Sequence, residues 1–323
     1  MALRALKSIL VVALLACVFA GNALAQGYPN RPVRMIVPYA AGGPLDALAR
    51  IFADKMTQGL GQPMVIEARP GANGNIGAEL VARSAPDGYT LLWVIDTAMT
   101  VNPALYPDMK FDPQKDLAPV SLVSSSDSVL VVNPATPAAT VREVVELAKK
   151  QSLNFSSGGN GTPAHLAGVL LMREAGIQMT HIPYKGNAPS VASLLAGETH
   201  LSIASIPGVM AQIKSGRLRA IAVTGPKRTS FMADVPTFAE AGFPGIVIEG
   251  WRGLLAPAGT PRAVVDALNA ELVRASKLPD VTERLAAIGT LAVASPPEKL
   301  AQVIRDETRL WTKVVKDAGI KVQ

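Results

Sequence analysis

Short apolar runs alternate with longer amphipathic stretches along most of the chain, a pattern that predicts alternating strands and helices. The apolar runs predict strands at 33–38, 64–67, 90–95, 128–132, 154–156, 201–204 and 218–223. The amphipathic stretches between them predict helices at 46–60, 76–83, 141–151, 163–175, 188–196 and 209–215. After Trp251 the pattern becomes helical, at 261–276, 279–288 and 296–318, each with a proline at or near its start. The predicted fold class is therefore α/β.

The first 25 residues have the three parts of a secretory signal peptide. Arg4 and Lys7 precede an apolar run at 9–20, and small residues then lead to a cleavage site after Ala25. The apolar run is too short to cross a bilayer core of roughly 30 Å comfortably. We therefore expect export to the periplasm and a mature protein that begins at Gln26.

Cys17 is the only cysteine in the chain. An alternative interpretation makes it the lipid-modified first residue of a lipoprotein, although Leu15 fits such a processing site poorly. Cleavage after Ala25 would instead remove the cysteine, which would exclude disulfides, zinc–cysteine sites and thiol nucleophiles together.

Length and charge narrow the possible functions further. Removing 25 of the 323 residues leaves 298, more than one hydrophobic core usually organises, so two lobes are expected. Removing Arg4 and Lys7 lowers the formal net charge from +6 to +4, and the remaining basic residues are spread along the chain. That distribution argues against nucleic-acid binding and is compatible with an anionic ligand.

A glycine-rich turn between the first predicted strand and helix is the first candidate binding site. The turn and the helix start contain Tyr39, Ala40, Ala41, Gly42, Gly43 and Asp46. Glycines let the backbone approach a ligand closely, and the unpaired N–H groups of a helix start favour an anion. The alternative is an ordinary connection in which Asp46 only caps the helix.

A second glycine-rich turn of the same kind follows the predicted strand 154–156. The turn and the helix start contain Ser157, Gly158, Gly159, Asn160, Gly161, Thr162 and His165. The hydroxyls of Ser157 and Thr162, together with the turn amides, could hold a carboxylate without an arginine. Neither turn has the Gly-Lys-Ser/Thr ending of a phosphate loop, nor G-x-G-x-x-G. The spaced glycines at 71, 74 and 77 are a weaker signal, interpreted as mainly structural.

Many short motifs occur in one order along the chain, and together they are more specific than either turn. They are Arg31-Pro32-Val33-Arg34, the turn 39–43, the segments 69–77 and 85–92, Asn102-Pro103, Asn133-Pro134, Pro183-Tyr184-Lys185-Gly186, Gly216-Arg217-Leu218-Arg219-Ala220, Asp234-Val235-Pro236-Thr237, Trp251-Arg252-Gly253-Leu254 and the segment 256–261. With them the chain closely resembles the Bug family, also called TctC-like, of tripartite tricarboxylate transporter substrate-binding receptors.

The resemblance implies a type 2 periplasmic-binding-protein-like fold, with two α/β lobes and a ligand cleft between them. The expected lobes are 26–125 plus 251–323, and 126–250, with crossings near 124–127 and 249–251. In this family the two turns face each other and grip one carboxylate, partly through water, which carries over to 39–43 and 157–162. Ala41 and Pro44 depart from the family pattern and leave the exact pocket shape open.

The far end of the ligand is expected to meet the loops after two other strands. These loops contribute Thr97, Ala98, Ser205 and Ile206. Asp96 and Asp127 are the acids nearest the expected cleft, and either could receive the ammonium group of an amino acid or simply cap a strand end. If they point away, the pocket suits a dicarboxylate with an apolar or aromatic body, or a monocarboxylate. The sequence does not distinguish among an amino acid, a dicarboxylate and a monocarboxylate as the ligand.

The resemblance further implies a monomeric, non-catalytic receptor without a cofactor. Its expected partners are a small carboxylate and either inner-membrane transporter subunits or a sensor kinase. The alternative is a secreted serine hydrolase that uses Ser157 and His165. Against it, the chain has no Gly-x-Ser-x-Gly elbow, and its three histidines lack metal-ligand spacing. His165 is better interpreted as a packing or hydrogen-bonding residue.

Overall fold

The computed structural model describes residues 27–319, so the predicted signal peptide, Cys17 and Gln26 lie outside the described part of the chain. The strands are β1 (Val33–Val37), β2 (Met64–Ala68), β3 (Thr90–Ile95), β4 (Leu117–Val132), β5 (Leu153–Ser157), β6 (Met179–Pro183), β7 (Leu201–Ser205), β8 (Arg219–Val223), β9 (Glu249–Pro257) and β10 (Leu291–Ala292). The helices are Pro44–Leu60, Asn75–Ala82, Asp96–Thr100, Asn102–Leu105, Val141–Lys150, Pro163–Ala175, Asn187–Leu195, Ile206–Lys214, Arg262–Ser276, Pro279–Ala287 and Pro297–Ala318.

The strands form one connected sheet with two parallel segments. Their order is β2-β1-β3-β9-β4-β7-β5-β6, and β8 and β10 both pair with β4. β1 is parallel to β2 and β3, and β5 is parallel to β6 and β7. β4 and β9 are antiparallel to each other and to the strands beside them. They therefore join a first parallel segment, β1 to β3, to a second, β5 to β7.

The long strand β4 makes this connection within a single run of backbone. Residues 117–127 pair with β9, whereas residues 128–132 pair with β7 and β8. The predicted strand 128–132 is thus the second part of a strand of 16 residues. The first part is rich in buried serines, including Ser121 and Ser124, so it lacks the apolar run typical of a buried strand.

Both faces of each parallel segment are covered by helices. Along β1, Met35 packs into one hydrophobic cluster and its neighbour Ile36 into another on the opposite face. Beside the second segment, Leu130 and Val131 of the adjoining strand β4 are divided between two clusters in the same way. Successive strand residues point to opposite faces, so a sheet buried on both sides needs continuous apolar strands. This arrangement confirms the predicted α/β class.

The C-terminal helix Pro297–Ala318 contacts both segments. Leu300 and Ile304 pack in a cluster of the first segment, whereas Trp311 and Val315 pack in a cluster of the second. The helix therefore lies along the junction between the segments.

The predicted helix bounds are confirmed to within three residues. Local signals explain the agreement: Thr162 caps the helix that begins at Pro163, and Gly61 and Gly176 end helices in left-handed conformations. The predicted loop that carries Thr97 and Ala98 is wrong, because these residues lie in the short helix Asp96–Thr100. The apolar pattern did not predict β6, β9 and β10, although the family resemblance placed a crossing at 249–251, within β9. Within residues 27–319, none of the helices combines the length and apolarity that crossing a membrane requires.

Candidate functional site

The first glycine turn leaves an uncapped helix start beside solvent. Gly42 has φ +79°, a left-handed conformation that favours glycine, and Gly43 precedes the helix in an extended conformation. No side chain caps this helix start, and Ala40, Ala41 and Gly42 are exposed. The turn can therefore present backbone N–H groups and a helix dipole to an anion.

Asp46 supports this turn from beneath. Its side chain is only 3% exposed; one carboxylate oxygen accepts the Gly42 N–H at 3.0 Å and the Arg50 Nε–H at 2.9 Å. Burial alone would raise the Asp46 pKa, but the hydrogen bonds from Arg50 and Gly42 outweigh it and hold that pKa below its usual value. In this conformation Asp46 fixes the turn, and its carboxylate faces Gly42 and Arg50 rather than an open surface.

Tyr39 is held by an asparagine network that sequence motifs did not reveal. Its hydroxyl donates to the Asn73 carbonyl at 3.1 Å. Asn102 is fully buried; its amide donates to the Asn73 carbonyl at 3.0 Å and to the Asn75 side chain at 2.7 Å. The Asn73 amide in turn donates to the Asn102 side chain at 2.9 Å. The segment with the spaced glycines therefore belongs to the site as a support for Tyr39.

The second glycine turn is tied down by its own polar groups. The Thr162 hydroxyl donates to the Gly159 carbonyl at 2.8 Å and accepts the His165 N–H at 3.3 Å. The Gly161 N–H donates to Nδ1 of His165 at 3.0 Å. Gly158, Gly159 and Asn160 are half-buried. Some of the hydroxyl and amide groups that were predicted to hold the carboxylate are therefore hydrogen-bonded within the turn. Thr162 also caps the helix.

Ser157 pairs with a histidine other than the predicted one. Its fully buried hydroxyl lies 2.7 Å from Nε2 of His181 and 3.1 Å from the Gly159 carbonyl. His165 instead stacks on His181, with ring centroids 4.0 Å apart, and His181 stacks on Phe155. The pairing of Ser157 with His165 in the hydrolase interpretation is therefore wrong, and a fully buried hydroxyl is not positioned to attack a substrate from the cleft.

The stacked imidazoles predict a pH-dependent stability. Burial lowers the His165 pKa to about 4, and burial together with the His165 charge lowers the His181 pKa to about 3. Between pH 6.5 and 4 the unfolded chain therefore binds protons that the folded chain does not, so stability falls as the pH falls. We expect His165 alone to cost about 2 kcal/mol of unfolding free energy between pH 7 and pH 5.

Urea unfolding of the wild type and of His165→Asn at both pH values tests this expectation. The asparagine retains an acceptor for the Gly161 N–H but does not titrate. The other titrating groups are shared by the two proteins and cancel in the difference, except that His165→Asn also removes the part of the His181 shift that the His165 charge causes, which acts in the same direction. An equal loss of stability on acidification in both proteins would contradict the assignment.

The two turns come together at Asn73. A Cβ atom placed on Gly161 would lie 3.6 Å from the Asn73 amide nitrogen and 2.3 Å from Cδ1 of Leu105. Asn73 also accepts the Tyr39 hydroxyl, so it lies between the second turn and the first. The structure thus links Tyr39 of the first turn to Gly161 of the second through Asn73, which accepts a hydrogen bond from Tyr39 and lies beside Gly161.

The residues predicted to meet the far end of a ligand differ in exposure. Thr97 is 2% exposed, and Ala98 and Ile206 are buried within hydrophobic clusters. The expectation that the Ala98 and Ile206 side chains line a cleft therefore fits poorly with their packing. Ser205 is half-buried at the start of the helix Ile206–Lys214, and no side-chain bond caps that start.

Asn187 is a further polar residue near Ser205 that no sequence motif marked. Its buried amide nitrogen has no hydrogen-bond partner among the described residues, and it lies 1.7 Å from where a Gly208 Cβ would be. A Cβ on Gly158 would lie 3.2 Å from the Asn187 backbone nitrogen. A buried, unpaired donor therefore lies between the second turn and Ser205.

Asp96 and Asp127 share one buried arginine. Arg252 is 8% exposed, lies near both carboxylates and donates to the Ser126 hydroxyl. Burial raises the pKa of each acid to about 6, although the Arg252 charge opposes that rise. Each acid therefore lies near a positive charge and is not an isolated carboxylate. Across residues 27–319, no cluster of three His, Cys, Asp or Glu side chains is suited to a metal ion.

Comparison with known proteins gives consistent matches over most of the chain. Residues 48–320 match the model of the tripartite tricarboxylate transporter family receptor. Protein BugT of Bordetella pertussis is 36% identical over 302 residues, a match that covers 93% of each chain.

Two solved structures that hold small acids are similar throughout. One is Rpa4515 of R. palustris with adipate, at 33% identity and a TM-score of 0.86, covering 91% of this chain and 99% of that one. The other is MatC of Rhodopseudomonas palustris with bound malate, at 33% identity and a TM-score of 0.83, covering 89% and 100%.

Proposed function

The chain belongs to the tripartite tricarboxylate transporter receptor family, and on this premise we propose that it is a periplasmic solute-binding protein that captures a small carboxylate between the turns 39–43 and 157–162. It does so without catalysis and delivers the solute to inner-membrane transporter subunits or presents it to a sensor kinase.

The meeting of the two turns at Asn73 is the observation that carries the proposal. Two helix starts that open toward one space stabilise a carboxylate that neither would hold strongly alone, because both dipoles favour the same negative charge. The first start is uncapped, and the second is arranged by Thr162 and His165. Backbone N–H groups then take the place of an arginine in binding the anion.

A dicarboxylate is the solute class that the far-end groups favour. Thr97, Ser205 and Asn187 are neutral, and Asn187 offers an unpaired donor. A second carboxylate accepts such a donor, whereas an ammonium group does not. The adipate and malate held by the two solved relatives belong to this class. We therefore propose that the second carboxylate of the solute lies on the side of Asn187.

The proposed lobes are 26–125 with 251–323, and 126–250, with β4 and β9 as the crossings. Closure of these lobes on the solute removes water and strengthens each electrostatic contact. Because each protomer supplies both turns, a monomer is sufficient for binding.

Two matched glycine variants test the first turn. Gly42 and Gly61 lie just outside opposite ends of the helix Pro44–Leu60, have φ +79° and +68°, and leave open space around an added Cβ. Alanine at either position should therefore cost about 1 kcal/mol of stability through backbone strain. Only Gly42→Ala should displace the turn amides, so we expect it to weaken binding of malate or adipate at least ten-fold.

Isothermal titration of both variants measures the difference, and urea unfolding controls for stability. Equal affinities in the two variants would exclude the first turn from the carboxylate site.

A further inference from the structure

The segment that follows the helix Pro279–Ala287 runs antiparallel to the crossing strand β4, and residues 289–295 are here called the strap. Its residues 291–292 pair with β4. Further along, the Ser295 N–H donates to the Leu122 carbonyl at 2.9 Å, and the Ser295 hydroxyl accepts the Leu122 N–H at 3.1 Å. The strap is therefore fixed to the part of β4 that also pairs with β9.

The first residue of the strap reaches the helix Ile206–Lys214. A Cβ atom placed on Gly289 would lie 2.5 Å from Cγ2 of Ile206 and 2.7 Å from Cε of Met210. These two side chains are only 1% and 4% exposed. By the proposed bounds Gly289 belongs to one lobe, and both of its neighbours belong to the other. The strap thus joins the two lobes through the protein's own atoms.

This contact and the contact at the second glycine turn lie on opposite faces of the sheet. Ile206 packs in the same cluster as Val131. Leu105, which approaches Gly161, packs in the same cluster as Leu130. Because successive strand residues point to opposite faces, the lobes touch on both sides of the crossing strands. A movement that separates the lobes therefore breaks contacts between them that involve no solute.

Other features of the strap oppose the closed arrangement. Ser124 and Thr290 are 0% and 1% exposed, and within residues 27–319 neither hydroxyl has a hydrogen-bond partner. Buried, unpaired hydroxyls disfavour the conformation that contains them. Ala294 has φ +47°, a left-handed conformation that is strained for a residue with a Cβ. The apolar contact at Gly289 is thus balanced by local costs, which keeps closed and open arrangements close in free energy.

We propose that the strap holds part of the solute-free population closed, through the contact of Gly289 with Ile206 and Met210, and so sets the affinity for the solute. This inference rests on the two-lobed clamp of the proposed function. If only the closed form binds the solute tightly, the apparent Kd rises as the closed fraction falls. Gly289 is then a positioning residue, because it orients the lobes and belongs to neither glycine turn.

Gly289→Ala and Gly216→Ala are a matched pair of variants that tests the strap. The two glycines have φ +74° and +71°, and each follows the end of a helix. In both places the N–H of the next residue donates at 2.9 Å to a carbonyl five positions earlier. A Cβ on Gly216 would have no atom within 4 Å. Alanine should therefore strain the backbone equally at both positions, and only Gly289→Ala should push against the other lobe.

Small-angle X-ray scattering of the solute-free proteins and calorimetric titration with malate or adipate measure the outcome. We expect Gly289→Ala to have a larger solute-free radius of gyration than Gly216→Ala and to bind the acid at least five-fold more weakly. Saturating acid should close Gly289→Ala again, so that the two variants then scatter alike. Urea unfolding checks that both variants are folded.

The wild type gives a further measurement that depends on no variant, because its solute-free scattering curve should fit this structure. A wild-type curve that requires separated lobes would overturn the role of the strap. Equal scattering and equal affinity in the two glycine variants would overturn it as well. If no acid binds to any of these proteins, the carboxylate proposal fails, whereas the scattering comparison still decides whether the strap holds the lobes together.

Discussion

Arg252→Met is expected to lower the unfolding free energy by about 3–5 kcal/mol at pH 7.5, because it leaves the carboxylates of Asp96 and Asp127 without their shared counter-charge. Arg252 is 8% exposed and lies near Asp96 and Asp127, and methionine replaces its volume but not its charge. The loss should be smaller at pH 5. Both acids already have pKa values of about 6, and removing the cation raises them further, so at pH 5 both are neutral and need no counter-charge.

Urea unfolding of Arg252→Met at pH 7.5 and pH 5 measures this effect. Arg262→Met is the control, because Arg262 pairs with Asp266 and Glu298 at the exposed surface and should matter little at either pH. An equal loss at both pH values in Arg252→Met would show that packing rather than charge explains the role of Arg252.

Gly161→Ala is expected to weaken carboxylate binding by about a hundred-fold and to cost about 2–4 kcal/mol of stability. Gly161 has φ +75°, and an added Cβ would lie 2.3 Å from Cδ1 of Leu105. Either Leu105 or the turn must move, and movement of the turn separates it from Asn73 and from the first turn. Calorimetric titration with whichever of malate and adipate the wild type binds gives the affinity change.

A double-mutant cycle with Leu105→Ala separates the two causes. Removing the leucine side chain abolishes the contact but leaves the backbone strain, so Gly161→Ala should be less damaging in that background. If Gly161→Ala lowers affinity and stability equally in both backgrounds, the close approach to Leu105 does not explain the need for glycine at position 161.

Helix bounds and the two glycine turns could be predicted from the sequence because their signals are local. Pro163 and Pro279 mark helix starts, and the residues 39–43 and 157–162 lie between a strand pattern and a helix pattern. The first part of β4 could not be predicted in the same way, since its buried serines hide the apolar pattern on which strand prediction depends.

The contacts that organise the site link residues far apart in the chain. His181 pairs with Ser157 across 24 positions, and Asn102 reaches Asn73 across 29. Asn73 and Asn102 lie within motifs of the family resemblance, but neither motif indicates that their amides contact each other. His181 lies inside a strand, and nothing local shows that its partner is Ser157. The sequence marked Asp46 only by its place beside the first turn, and the structure shows that its carboxylate accepts hydrogen bonds from Gly42 and Arg50.

The most direct test of the proposed function is a calorimetric titration of the mature protein, residues 26–323, with malate, adipate, tricarboxylates, aromatic acids, nicotinate and acidic amino acids, with the recovered solute then checked by NMR. We predict saturable binding of one equivalent of a carboxylate, a dicarboxylate above the others, and a solute that is recovered unchanged. Absence of saturable binding by every acid, or conversion of a bound acid into a product, would contradict the account.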